Sequence, residues 1–269
     1  GIRKGWEGLI TTDRSRKPEE QEDIIELTEL IVNKQGRTGG TFLHTSRTKP
    51  DVVKLDNVPF LLKDKYKADV NDLTSEVLAN LDFLGIDYLI PIGGDDTLSY
   101  GVHLHKKGFP VIAIPKTMDN DVPGTDYCIG FGTCISRTID LAHELRTSAG
   151  SHERFLVIEV FGRYAGYTAL LPTMAGAAQR CVIPEYKFDI EHLAQLMVQD
   201  RNTNPSRYSV VLVSEGATFK DGNMVFQGEE ADAYGHKKLG GIGDLVSEQL
   251  KRLSAKYNNG RKIDVINQR

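Results

Sequence analysis

Apolar positions along this chain fall into two rhythms. Where they recur every three or four residues they mark one face of a helix, as Ile24, Leu27, Leu30 and Ile31 do for a helix predicted over 19–34. The same reading predicts helices over 70–84, 97–106, 129–148, 162–174, 190–200 and 240–256. Short apolar runs predict buried strands over 86–92, 111–114, 155–160, 182–185, 208–214 and 263–266. Strands and helices therefore alternate, which predicts an α/β fold with largely parallel sheets. Residues 220–238 hold Gly, Asn, Gln and Glu with no sustained period and read as a loop or excursion.

Composition narrows the function without choosing it. At 269 residues, 40% hydrophobic and 26% charged, the chain can bury one large core or two joined lobes. A net charge of -4, with 33 scattered basic residues outnumbered by 37 acidic ones, argues against a nucleic-acid surface. The strip Arg14, Arg16, Lys17 reads as a solvated loop. No apolar run approaches membrane-spanning length and no signal peptide is visible. Cys128, Cys134 and Cys181 lack metal-ligand spacing; Cys128 and Cys134 lie in an apolar-rich stretch and read as reduced packing residues, so a cytoplasmic protein is expected.

Candidate chemistry sits where two predicted strands end. The first runs into Pro91-Ile92-Gly93-Gly94-Asp95-Asp96-Thr97. Gly93 and Gly94 let the backbone approach an anion closely, and Thr97 opens a predicted helix whose first amides favour negative charge. Asp95 suits a magnesium ion bridging phosphate oxygens, because such an ion takes one or two carboxylates and keeps several waters. Taken alone, Gly93-Gly94-Asp95-Asp96 reads more readily as a solvated turn.

The second strand exits into Pro115-Lys116-Thr117-Met118-Asp119-Asn120-Asp121. Ligands of open parallel sheets collect at the carboxyl ends of strands, so adjacent polar exits build one crevice. Asp119 can take the proton from an attacking alcohol, Asp121 can orient that base or lie near the metal, and Thr117 can hold the substrate. Asp95, Asp96, Asp119 and Asp121 would repel one another in a dry site, which calls for magnesium and Lys116.

Taken together, Gly39-Gly40-Thr41, Thr45-Ser46-Arg47, the two strand exits, Phe161-Gly162-Arg163 and Ser214-Glu215-Gly216 occur in an order that resembles the phosphofructokinase family, and specifically its diphosphate-dependent branch. These islands cover nearly the whole chain. The resemblance implies a two-lobed fold with the active site between a donor and magnesium lobe, 1–130, and a sugar-phosphate lobe, 131–269. It implies reversible transfer of a phosphoryl group from diphosphate to the 1-hydroxyl of fructose 6-phosphate by a magnesium-dependent homo-oligomer.

Carried over residue by residue, the resemblance makes Asp95 the magnesium ligand and Asp119 the proton acceptor, with Thr117, Asp121, Lys116 and Arg163 completing the reaction centre. Arg47, Gly93, Gly94, Asp96, Thr97 and Lys116 would face the donor. Phe161-Gly162-Arg163 stands where the family has a Met-Gly-Arg that grips the sugar phosphate. Thr117, Met118 and Asp119 would meet the same substrate, and Glu215 falls on the family's sugar-binding glutamate. Arg154 resembles an arginine lent across a subunit interface. Bland readings stand beside four of these: Gly162-Arg163-Tyr164-Ala165-Gly166 can be close packing at a helix start, Glu215-Gly216 a strand-end turn, Arg154 a surface ion-pair partner, and Arg47 can neutralise Asp51.

Donor preference rests on two positions. Family members that use ATP commonly have glycine where this chain has Asp96, and the diphosphate branch pairs that aspartate with a lysine at Lys116. A carboxylate at Asp96 projects into space a nucleotide's α-phosphate would need, at steric and like-charge cost, while Lys116 offers a compact charge to diphosphate. An ATP-dependent kinase and a catalytically silent sugar-phosphate-binding subunit are the alternatives; Asp95 and Asp119 argue against the silent subunit. The family's opening strand and glycine-rich donor loop do not precede Gly1, and its last sugar-phosphate segment does not follow Arg269. The chain is therefore expected to be a piece of a longer polypeptide and poorly active by itself.

Overall fold

In the computed structural model, which describes residues 1–231 and 237–269, strands and helices alternate as the apolar pattern predicts. Contacts divide the chain into two units, Gly1–Ile114 and Pro115–Glu230 with Lys237–Arg269. No helix among the described residues is long and apolar enough to cross a membrane.

The first unit contains α1 (Trp6–Ile10), α2 (Glu29–Gln35), β1 (Val53–Lys54), β2 (Val70–Asn71), α3 (Thr74–Phe83), β3 (Ile92–Gly93) and α4 (Asp95–Lys106). Trp6, Leu9, Val77, Leu81, Tyr100 and Leu104 form its core, with the Trp6 ring edge-on to Tyr100 at 4.8 Å.

The helix predicted over 19–34 is mostly absent. Pro18–Glu20 is a single tight turn, Ile24 bridges Ile2 in antiparallel fashion, and only Glu29–Gln35 is helical. Gly1 and Ile25 exchange backbone hydrogen bonds, and the Arg3 amide donates to the Asp23 carbonyl at 2.7 Å. Two adjacent β-branched residues suit that extended pairing better than a helix interior.

The helix predicted over 70–84 starts late because Val70 and Asn71 pair with β1 and Asp72 accepts from the Thr74 amide at 2.8 Å. Arg14 is not simply solvated. It lies 2.6 Å from Glu76, whose side chain is 3% exposed and also receives Lys65 and Tyr66. The strand predicted over 86–92 reduces to a Leu89–Val111 bridge and β3, although the Ile114 amide still donates to Pro91.

The second unit takes in β4 (Ile114–Thr117), β5 (Ile129–Gly130), α5 (Phe131–Ser151), β6 (Phe155–Val160), α6 (Tyr167–Met174), β7 (Arg180–Val182), α7 (Ile190–Thr203), β8 (Ser209–Ser214), β9 (Phe226–Ala231), β10 (Lys237–Leu239), α8 (Ile242–Tyr257) and β11 (Val265–Gln268). A wholly parallel sheet runs β11-β6-β8-β7. Alternate residues of β6 and β8 feed two cores. Phe155, Val157, Val211 and Val213 pack with Met197 of α7 and Leu250 of α8; Leu156, Ile158, Val210 and Leu212 pack with Ala142 of α5 and Ala169 of α6. Burial on both faces explains why these strands read as continuous apolar runs. The helix predicted from 162 begins only at Tyr167, because residues 161–166 form the turn that leaves β6. Within 220–238, β9 and β10 pair where a loop was predicted, and 232–236 lie outside the described residues.

Candidate active site

In the first unit the expected donor residues stand at a strand-to-helix transition. β3 ends at Gly93, Gly94 occupies the N-cap position, and α4 begins at Asp95, two residues earlier than predicted. The Leu98 amide already reaches the Gly94 carbonyl at 3.0 Å, which draws both aspartates into the first turn, where the helix dipole favours them. A Cβ at Gly93 would lie 2.5 Å from the Thr97 Cβ, so only glycine lets the strand end pass so close to the helix. Asp95 is exposed, and Asp96 and Thr97 are half-buried.

Arg47 is exposed and lines a cavity of about 370 Å³ with Lys49, Lys54, Ile10 and Val52. Residues 93–97 are not among its walls. The Ser46 hydroxyl donates to the Lys4 carbonyl at 2.7 Å and the Thr48 hydroxyl to Glu7 at 3.5 Å, so the loop bearing Arg47 is tied on both sides of it. Sequence reading did not single out Lys49 and Lys54, which stand apart in the sequence on either side of Pro50-Asp51-Val52-Val53.

The second unit gathers a tighter set. Thr117 ends β4, and its hydroxyl accepts from the Asp119 amide at 3.2 Å. Burial, with the neighbouring Asp121 charge adding to it, pushes the Asp119 carboxyl above the usual range; the Arg163 backbone amide, which donates to that carboxylate, and the Arg163 guanidinium oppose the shift. Glu215 is likewise pushed up by burial and then by Asp119, with Arg163 again opposing. Asp119, Asp121, Arg163 and Glu215 thus form one electrostatic cluster. Lys116 and Met118 are exposed.

Interlocked loops hold this cluster. The Glu215 amide donates to Val160 at 2.9 Å and the Gly216 amide to Gly162 at 3.1 Å, joining the exits of β6 and β8. The Thr168 hydroxyl donates to the Phe161 carbonyl from α6. Gly162 has φ +126°, and a Cβ there would sit 2.6 Å from the Ala165 oxygen; one at Gly216 would overlap the Arg163 carbonyl. The two glycines are therefore structural requirements of the turn that presents Phe161 and Arg163.

The family model for phosphofructokinase matches residues 1–265. The chain belongs to the phosphofructokinase family. It is 39% identical over 252 residues to an ATP-dependent 6-phosphofructokinase of Corynebacterium efficiens, covering 94% of this chain and 65% of that protein. It is 36% identical over 253 residues to a pyrophosphate--fructose 6-phosphate 1-phosphotransferase of Streptomyces coelicolor, covering 94% and 66%. The chain therefore spans just under two thirds of the length of these curated relatives. The structure of phosphofructokinase from Saccharomyces cerevisiae aligns with a TM-score of 0.69 at 21% identity, over 99% of this chain and 33% of that one, a likeness of fold.

One feature of this phosphofructokinase chain was not legible as functional. Asn120, between the two aspartates, adopts φ +56°; its Nδ2 donates to the Asp126 carbonyl at 3.0 Å and its Oδ1 accepts from the Cys128 amide at 2.8 Å. It closes the loop behind Asp119, a left-handed role asparagine tolerates better than most residues. Arg154 precedes β6 and Arg163 follows it, so they stand at opposite ends of that strand and Arg154 is not part of the Asp119 cluster of its own chain.

Among the described residues no group of three or more His, Cys, Asp or Glu could hold a metal unaided. Asp95 supplies one exposed carboxylate, a donor set that fits a magnesium ion sharing phosphate oxygens and water.

Proposed function

We propose that this protein reversibly transfers a phosphoryl group from diphosphate to the 1-hydroxyl of fructose 6-phosphate. The observation that carries this reading is Asp119, a half-buried carboxylate with a raised pKa beside Arg163 and Glu215. A base whose pKa lies nearer neutrality accepts the hydroxyl proton more effectively than an ordinary aspartate. Phe161, Gly162, Arg163 and Glu215 bind the sugar phosphate with Thr117 and Met118, and Asp121 orients the base. Arg154 serves the equivalent site of a second copy, which makes the working protein a homo-oligomer.

On the donor side, Gly93, Gly94, Thr97, Arg47 and Lys116 receive the diphosphate. Asp95 would hold magnesium, which when bound neutralises charge on the phosphates. Asp96 disfavours a nucleotide by charge and bulk. Alignment and charge neutralisation carry most of the rate, since phosphoryl transfer asks for little covalent work from the protein.

A second reading, ATP as donor, is favoured by the relative from Corynebacterium efficiens, 39% identical, which carries an ATP-dependent name. The deciding experiment compares diphosphate with ATP, using fructose 6-phosphate and magnesium, for the full-length parent protein and for its Asp96→Gly variant. Diphosphate preference that relaxes toward ATP in the variant supports the first reading. ATP preference in the unaltered protein selects the second, and no transfer from either donor overturns both.

A further inference from the structure

Glu159 belongs to none of the site residues above, yet it is built into their support. Strand alternation puts it on the face of β6 that carries Phe155 and Val157, the face covered by α7 and α8. An acid there is costly unless well paired, and the Glu159 side chain is 7% exposed.

Its partners come from the start of α8. The Gly241 amide lies 3.1 and 3.2 Å from the two carboxylate oxygens, and the Gly243 amide donates at 2.7 Å. The Arg269 Nε is 3.9 Å away, and the Nη2 of the same guanidinium pairs with Asp244, which accepts from Asn267. Gly241 has φ +90°, and a Cβ at Gly243 would meet the Glu159 Oε2 at 2.9 Å. The two glycines thus let the helix close directly over the carboxylate. First-turn amides and the dipole of a 16-residue helix favour its negative charge.

The same residue neighbours the expected sugar ligand Glu215. Glu159 pairs with Val213 in the parallel register, and Glu215 lies two residues beyond Val213, one past the end of β8, so the two acids are diagonal neighbours. The charged groups acting on Glu215 are Asp119 from the loop after β4, Arg163 from the loop after β6 and Glu159 from β6 itself.

We propose that Glu159 is a positioning residue for the sugar subsite: held beneath the start of α8, it fixes the β6 exit that carries Phe161-Gly162-Arg163 and sets the electrostatic field in which Glu215 meets a sugar hydroxyl. This rests on the reading of Glu215 as a sugar ligand. A neighbouring negative charge makes Glu215 harder to ionise, so neutralising Glu159 makes Glu215 ionise at lower pH.

The test uses Glu159→Gln, which keeps the shape and one acceptor, with Glu159→Asp as the charge-retaining control. In Glu159→Gln the KM for fructose 6-phosphate rises about ten-fold, the loss of one charge-assisted contact, while kcat changes little. The acid-side break in log(kcat/KM) moves to lower pH, and Glu159→Asp moves it back toward the parent value. An unchanged KM and break overturn the proposal, as does a lower melting temperature with an unmoved break, which marks a purely structural role. NMR titration of carbon-13-labelled glutamate reads the Glu215 carboxyl directly. If the unaltered protein transfers from neither donor, the functional reading fails, and an unshifted Glu215 titration in Glu159→Gln separately overturns the coupling.

Discussion

The two units hold their expected functional residues by different means. In the first, Asp95 and Arg47 are exposed, and the surface proposed to meet the donor is the backbone between Gly93 and the first turn of α4. In the second, Asp119 and Glu215 are half-buried, and their loops are locked by Gly162, Gly216, Thr168 and Asn120. A backbone platform with exposed side chains can change what it binds through single substitutions that leave the fold intact. An interlocked cluster cannot. Relatives named for different donors stand at comparable identity, 39% and 36%, as expected if the donor side is the easier one to alter.

The largest effect expected comes from breaking the acceptor cluster at its base. Asp119→Asn should lower kcat by about 10²- to 10⁴-fold with little change in KM for fructose 6-phosphate, measured by steady-state kinetics. Its melting temperature at neutral pH should equal or exceed that of the parent. The sign follows from linkage: a carboxyl whose pKa is raised by folding stabilises the folded state below its unfolded value, and that contribution is lost as pH rises through the folded value. Removing the charge removes the penalty.

A second pair of variants contrasts the units in stability. Gly162→Ala should cost about 2 kcal/mol or more, because φ +126° and the nearby Ala165 oxygen leave a methyl no place. Arg47→Ala, at an exposed site, should stay within about 0.5 kcal/mol. Denaturant melts of both variants decide this, and equal losses would remove the contrast between a locked and an open site.

Asn120→Gly should fall below these in effect. Glycine accepts φ +56° without strain, so the variant removes the hydrogen bonds to Asp126 and Cys128 while keeping the backbone path. About a ten-fold loss in kcat is expected, the cost of a loosened base, with Asn120→Ala losing stability in addition. Activity at the parent level in Asn120→Gly would show that Asp119 is held by Thr117 and Arg163 alone.

Much of the second unit was legible because its sheet is buried on both faces. The strand over 155–160 came out residue for residue, and the apolar run of β8 differs from prediction by one residue. In the first unit local pattern competed with pairing: Ile24 and Leu27 fit a helix face, but Ile24 bridges Ile2 instead. A strand exit pointed to Asp119 because lysine and carboxylates there interrupt an apolar run, whereas Glu215 was singled out only by the family resemblance. Glu159 and Asn120 were silent for a physical reason. Glu159 sits inside an apolar strand and its partners are backbone amides 82 and 84 residues away, while the role of Asn120 depends on a backbone angle that composition does not report.

The finest test works within the acceptor cluster. Asp121 adds to burial in raising the Asp119 pKa, and Arg163 opposes both. Asp121→Asn removes one negative neighbour, so Asp119 should lose its proton at lower pH and the acid limb of kcat should move down the pH axis. Arg163→Gln should move the same limb upward, since the neighbour it removes favours the charged form. Opposite movements are the signature of a charge-coupled base. If both variants move the limb in one direction, the groups act through loop geometry instead, and the contrast with the exposed donor surface lies in rigidity alone.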